Sequence, residues 1–407
     1  MFQLLTMAFR DLGRNRRRSF FSALAVAIGL ALLLLMASVV QGEMGGALAS
    51  SIRLQSGNLQ VRAKSYNENK TSLKYEDLVA NPDLIAAQVA SEPGVKVATP
   101  RLYASGIVVV ANESAGVRVV GIDPASAASN PYREGLVSGQ FLTADDREGL
   151  LIGQTLADKL KLTAGQQVNL SVNTSSGDVA QQDFTIRGIY STQTPGFDGA
   201  NVFMPLAKAQ TITGAEKYAS TIFVLLNDTA QTDAVASALQ SGNYQVLTYT
   251  QMNPLLVSTE QLANGSMAVL YLIVLGITAT VIVNTLIMAV YERTREIGIL
   301  SAIGMRGRRI MAMFLAESGM LAVGGILMGL ALGALLVAYF TRYGFYIGNV
   351  GLANSAVLVG STIYAQLTMS DAISLTVAAF VVTLLAGLYP ALLASRMEPV
   401  KALRGQE

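Results

Sequence analysis

The 407-residue sequence contains neither cysteine nor histidine. That removes disulfide frameworks, thiol nucleophiles, Ser-His-Asp triads, the usual zinc ligand sets and haem attachment, and with them most familiar active-site chemistry. Charge is scarce as well: 14% of the residues are Asp, Glu, Lys or Arg, against roughly 25% in an ordinary globular protein. With 52% hydrophobic residues and a mean hydropathy of +0.44, too few charges exist to solvate a compact soluble surface, so part of the chain belongs in lipid. The net charge of +2 leaves no basic nucleic-acid footprint. A GxxxxGK(S/T) phosphate loop is also missing, so any ATP has to be handled by a partner.

What is present is four long apolar runs, placed as transmembrane helices at 19–41, 265–291, 310–341 and 372–395. Each reaches the ~20 residues that cross ~30 Å of hydrocarbon as a helix. Arg10, Arg14, Arg16, Arg17 and Arg18 precede the first; Arg293, Arg295, Arg306, Arg308 and Arg309 lie between the second and third; Arg396, Lys401 and Arg404 follow the fourth. By the positive-inside rule, all three clusters lie on the cytoplasmic side, with both termini, in a multi-pass cytoplasmic (inner) membrane protein. A cleaved signal peptide is the alternative for the first run, although that run is long for a signal.

Residues 1–18 carry Phe2, Leu5, Phe9 and Leu12 at helical spacing, which reads as an amphipathic helix and basic anchor, a flexible basic tail being the alternative. Residues 42–264 have a globular composition, with strand-like runs at 58–62, 106–111, 117–122, 167–172, 184–190 and 221–226 and helical patterns at 81–91, 154–160, 206–211 and 228–240. This is an extracytoplasmic α+β domain, with a second subdomain at 130–214. Gly42, Gly45 and Gly46 on one side, and Asn264 and Gly265 on the other, suggest flexible tethers. The uncharged stretch within the 342–371 loop either rests on the outer membrane interface or forms a folded cover over the helices. Residues 396–407 form a cytoplasmic tail.

The segment 291–309 reads as an amphipathic helix with Ile297, Leu300 and Ile303 on one stripe and Gly304 as its stop, suited either to docking into another protein or to lying on lipid headgroups. Gly325, Gly329 and Gly333 in the third span, and Ala23, Ala27 and Ala31 in the first, offer smooth faces for close helix approach. Glu317 lies inside the third span, where an ionised carboxylate is costly; a structural pairing near the cytoplasmic face is the favoured reading and a proton relay the alternative. Pro390 in the fourth span is read as a kink.

The segments YERTREIGILSAIGM, FLAESGMLAVGGILMGLALG and YPALLASRMEPVKALRG, with FRDLGRNRRRSFFSALAVAIG at the start, resemble the permease family containing MacB, FtsX and the Lol lipoprotein-release permeases. VRVVGIDP, LLIGQTLADKLKL, IRGIYS and FMPLAKAQ are similar to segments of MacB-type periplasmic core domains. The chain departs from MacB in having no ATPase domain ahead of the first span, and from FtsX in its far larger external domain. The resemblance implies a permease subunit of an ABC transporter, not itself an enzyme, that pairs with a second permease copy or paralogue and with ATP-binding-cassette ATPase subunits holding ATP and Mg. It implies a cytoplasmic coupling helix at 292–309, with Glu292, Arg293, Arg295, Glu296, Ile297 and Leu300 meeting the ATPase, and neither a catalytic residue nor a metal in this chain.

The leading functional expectation is mechanical extraction of lipoproteins or other amphiphiles from the outer leaflet, with release to a lipoprotein carrier. Leu33, Met36, Val40, Leu270 and Val274 are then candidate contacts for acyl chains, simple packing or lipid exposure being the alternative for each. The competing expectations are MacB-like mechanotransmission efflux with a periplasmic adaptor, and a non-transporting regulator of a cell-envelope enzyme.

Overall fold

The computed structural model describes residues 16–67, 71–111, 113–240, 244–347 and 360–397. The amphipathic segment with Arg10 and Arg14, and the tail with Lys401 and Arg404, lie outside these. The chain divides into two compact units, Met1–Glu43 with Gln261–Phe345 and Ile363–Glu407, and Met44–Glu260 with Tyr346–Thr362.

The first unit is built on helices long and apolar enough to cross a membrane, four among the described residues. They run Arg16–Ser51, Pro254–Glu292, Gly307–Tyr343 and Met369–Ser395, each longer than the apolar run that announces it. Thr368 caps the last by accepting from Asp371 N at 3.1 Å, and Pro390 is accommodated within that helix. Val26, Leu30, Leu33, Leu34, Ile282 and Leu286 belong to one apolar cluster at the centre of the bundle.

The two ladders of small residues meet. A Cβ placed on Gly325 would lie 2.6 Å from Val26 Cβ, one on Gly329 would lie 2.9 Å from the Ala27 carbonyl oxygen, and one on Gly333 would lie 2.8 Å from Leu34 Cδ1. From Gly325 to Gly333 the third helix therefore brings its backbone against both the backbone and the side chains of the first, an approach that glycine permits.

The expected tethers are not there. Gly42, Gly45 and Gly46 lie inside Arg16–Ser51, and Asn264 and Gly265 inside Pro254–Glu292. A helix-interior glycine costs only about 1 kcal/mol, which long apolar flanks override. At Gly42 the missing side chain serves packing, since a Cβ there would overlap the Tyr364 carbonyl.

The second unit holds a ten-stranded sheet. Its strands are β1 Leu59–Ala63, β2 Val95–Val110, β3 Glu113–Ile122, β4 Leu136–Gly139, β5 Gly149–Gly153, β6 Gln167–Asn173, β7 Val179–Tyr190, β8 Asn201–Pro205, β9 Thr221–Leu226 and β10 Tyr244–Thr248. The order is β10-β1-β9-β2-β3-β8-β5-β7-β4, and β6 joins β2 to β7, so β2, β3, β8, β5, β7 and β6 close on themselves. β6 buries Val168, Leu170 and Val172 alternately, as a strand with one core face must. They join Val108, Val119, Leu150 and Phe184 in one cluster, backed by Leu156 and Leu160 of the helix Gln154–Leu160. A second cluster packs β1, β9 and β10 against the helices Pro82–Ala90 and Thr232–Leu239.

β2 serves both regions. Its first part, up to Arg101, pairs with β9, and the part from Leu102 onward pairs with β3. The closed set of strands thus begins before residue 130, and a boundary there would cut the β3–β8 ladder. At the changeover Arg101 is 2% exposed; its guanidinium donates to the Leu54 carbonyl at 3.0 Å and the Ala128 carbonyl at 3.4 Å and lies 3.5 Å over the Phe223 ring. Tyr132 Oη donates to the same Leu54 carbonyl at 2.8 Å. In the loop expected at 342–371, Ile347 N donates to Ser361 O and Ser361 N to Gln193 O, so this part folds with the sheet unit.

Candidate functional site

The functional candidates concentrate where the second and third long helices are joined. The second ends at Glu292, Arg293 leaves helical geometry at φ −107° and ψ 16°, and a separate helix runs Thr294–Ala302. It stops where Gly304 adopts φ +97°, a conformation glycine reaches without strain. Gly304 N donates to Ser301 O and Met305 N to Leu300 O, satisfying carbonyls that the helix end would otherwise leave open.

This connecting helix has an inner and an outer face. Ile297 is buried with Val290, Ile310, Phe314, Ala391 and Ala394. Arg293, one turn before it, is buried too. Glu292, Arg295, Glu296, Ile299 and Ile303 point outward, Ile299 being 44% and Ile303 79% exposed, and Leu300 is half-buried. The expected stripe of Ile297, Leu300 and Ile303 is therefore split between faces. Steps of three residues fall about 60° short of a full turn each, so two of them carry the stripe about 120° around the helix.

Charge pairs fasten the junction. Glu292 forms an ion pair with Arg18 of the first helix. Arg293 Nη1 lies 3.8 Å from Glu317 Oε2, and both side chains are almost completely buried. Glu317 is thus a paired intramembrane acid. Beside it, Ser318 Oγ donates to the Thr383 carbonyl of the fourth helix at 3.0 Å, in the space left by Gly387.

The residues proposed for acyl contact do not share a surface. Leu33 is fully buried in the bundle, Met36, Val40 and Val274 are half-buried, and Leu270 is exposed on the second helix. Burial removes Leu33 from direct contact with any lipid. Leu32, one residue before it, is exposed, and Leu35, two after, is half-buried; with Ile28, Leu332, Leu335 and Leu336 they line an entirely apolar groove of about 430 Å³. Their spacing of Ile28, Leu32 and Leu35 was the available signal, but the whole run is apolar and hides which stripe is outermost.

In the sheet unit a displaced carboxyl group is that of Asp198, in the turn of helix Pro195–Ala200. Burial pushes its carboxyl up to about 6, although Thr192 Oγ1 donates to it at 2.7 Å and Thr192 N and Ser191 Oγ add weaker bonds. Burial likewise raises the phenol of the neighbouring Tyr190. Among the described residues, no group of three or more Asp or Glu is placed to hold a metal ion.

Residues 19–241 match the MacB-like periplasmic core domain and residues 268–399 the FtsX-like permease C-terminal region. The macrolide export ATP-binding/permease protein MacB of Shewanella sp. (strain ANA-3) is 25% identical over 98% of this chain and 60% of its own length. The lipoprotein-releasing system transmembrane protein LolC of Neisseria meningitidis serogroup B is 23% identical over 98% of this chain and 98% of its own. The periplasmic region of MacB from Actinobacillus actinomycetemcomitans aligns over 51% of this chain and 96% of its own with a TM-score of 0.34 and 15% identity. The chain spans about 60% of the length of the MacB relative it matches. With its four apolar helices and a core domain between the first and second, the chain is a multi-pass membrane protein that belongs to the MacB/FtsX/Lol permease family.

Proposed function

We propose that this chain is the membrane subunit of an ABC transporter, and that a separate ATPase, holding ATP and Mg, docks on the outer face of Thr294–Ala302. The observation that carries this reading is the two-sided character of that helix: Ile297 is packed into the bundle while Arg295, Glu296, Ile299 and Ile303 are presented outward. A helix lying on headgroups needs no such anchorage. One that receives force from a partner does, because a loosely held element would move without moving the bundle. The arginine clusters, Arg16 to Arg18, Arg306 to Arg309 and Arg396, support by the positive-inside rule a cytoplasmic position for this face and both termini, with the sheet unit outside.

The work done is extraction of lipoproteins or other amphiphiles from the outer leaflet. The end-to-end match to LolC, named as part of a lipoprotein-releasing system, supports this choice. A second permease copy or paralogue completes the unit, and a soluble carrier receives the lipoprotein. The second reading is MacB-like efflux with a periplasmic adaptor, which the match to a macrolide export protein favours. ATP-dependent release of lipidated proteins from proteoliposomes, with an ATPase-dead control, separates them. Release supports extraction; coupled hydrolysis without release moves the assignment to efflux, or to mechanical control of an envelope enzyme.

A further inference from the structure

Glu292 and Arg293 are neighbours in sequence that reach in different directions. Glu292 closes the second helix and pairs with Arg18 of the first. Arg293 sits at the break itself and pairs with Glu317, ten residues or ~15 Å along the third helix from Gly307. The next residue, Ser318, bonds the fourth helix through Thr383 O. Two adjacent pairs of residues thus tie the start of the connecting helix to the first, third and fourth helices.

The two ion pairs differ in kind. Arg18 and Glu292 keep 21% and 42% of their side chains exposed, where solvent screens the attraction. Arg293 and Glu317 keep 8% and 4%, where taking both charges out of water costs much of what their attraction returns. Stability alone would be served as well by apolar residues of equal volume, as at Ile297 and Phe314 nearby. What a buried charge pair adds is range. Coulomb attraction in a poorly screened interior still acts after a displacement of an ångström or more, which already costs a dispersion contact much of its energy.

We infer that Arg293 and Glu317 form the positioning link that makes the third and fourth helices follow the connecting helix. Arg293 carries the displacement of that helix, Glu317 receives it within the third, and Ser318 hands it to the fourth. The inference rests on the reading that an ATPase docks on Thr294–Ala302, and adds to it the residues through which the docked ATPase acts.

The test uses the full chain with its co-purifying ATPase in proteoliposomes. Because the native chain has no cysteine, Leu335→Cys on the exposed side of the third helix accepts a single environment-sensitive fluorophore that reports ATP-dependent movement. In this background Glu317→Gln is expected to retain the ATPase while the ATP-dependent signal falls roughly 2- to 30-fold. Arg293→Lys, keeping the charge but not the planar fork, should fall less, and joint reversal of the pair should recover more signal than either reversal alone. A full ATP response in assembled Glu317→Gln complexes overturns the inference. So does a loss confined to the yield of folded complex, with a normal response per complex. Where Glu317→Gln does not assemble, Arg293→Lys is read by the same criteria. The docking reading fails separately, and takes the link with it, if the native chain retains no ATPase or if Ile303→Asp retains it unchanged.

Discussion

Gly329 of the third long helix lies against Ala27 of the first so closely that a Cβ on the glycine would stand 2.9 Å from the Ala27 carbonyl oxygen. Gly329→Leu should therefore cost about 1–3 kcal/mol by overpacking. Gly46→Ala is the control: nothing lies within 4 Å of the position its Cβ would take, and relief of helix-interior glycine entropy should gain about 0.5–1 kcal/mol. Denaturant unfolding of the purified variants in detergent measures both. Equal effects at the two positions would mean that close approach does not hold these helices together.

The two faces of the connecting helix predict opposite phenotypes. Ile303→Asp, on the exposed face, should abolish ATPase retention without lowering expression. Ile297→Asp buries a charge among Val290, Phe314 and Ala391, and should cost about 3 kcal/mol or more and reduce the folded yield. Pull-down of the ATPase, normalised to folded permease, distinguishes the two. Normal retention by Ile303→Asp would place docking elsewhere.

Asp198 gives the sheet unit a pH dependence of unusual sign. Its carboxyl titrates at about 6 in the folded chain, above its ordinary 3.8, because burial disfavours the charged form. The folded state therefore binds this proton more tightly than the unfolded one. The resulting stabilisation is complete below about pH 4 and fades as pH rises through about 6, an amplitude of at most about 3 kcal/mol. Asp198→Asn should remove this slope. The measurement is the difference between native and variant unfolding free energies at pH 4.5 and 7, in which the other carboxylates cancel; a difference independent of pH would contradict the assignment.

Arg101 has the most to lose in the sheet unit. Arg101→Met would remove the donors to the Leu54 and Ala128 carbonyls and the cation over Phe223, a cost of about 2–4 kcal/mol. Arg101→Lys should rescue little, since an ammonium cannot reach both carbonyls and stack. An unchanged unfolding midpoint in either variant would show that the guanidinium is not holding this junction.

Much of this was open to reading because it is local. Apolar runs gave the four long helices, period-two alternation gave strands such as β6, and the small-residue spacing at Gly325, Gly329 and Gly333 gave the face that meets the first helix. Four things escaped for physical reasons. Gly42, Gly45 and Gly46 look like a tether because composition does not weigh the helical flanks on both sides. Leu33 could not be told from Leu32 because an all-apolar helix carries no contrast between its faces. The partner of Arg293 could not be found at all, since Glu317 is 24 positions away and only packing brings them together. The ring closure through β6 is equally non-local: nothing near Gln167 records that it will pair with β2.

The placement of β1 between β9 and β10 has a consequence for biogenesis. Leu59–Ala63 is the first strand to be synthesised, yet both its neighbours are among the last, Thr221–Leu226 and Tyr244–Thr248. It must wait with both edges bare for 163 further residues, until Leu226 is delivered, and with one edge bare for another 22, until Thr248. Pairing so distant in sequence is slow, and an open strand is a template for the wrong partner. Its apolar positions, Leu59, Val61 and Ala63, lie on one face, and the buried Gln60 and half-buried Arg62 alternate with them on the other. Those polar residues would serve to keep the waiting strand soluble as well as to finish the sheet.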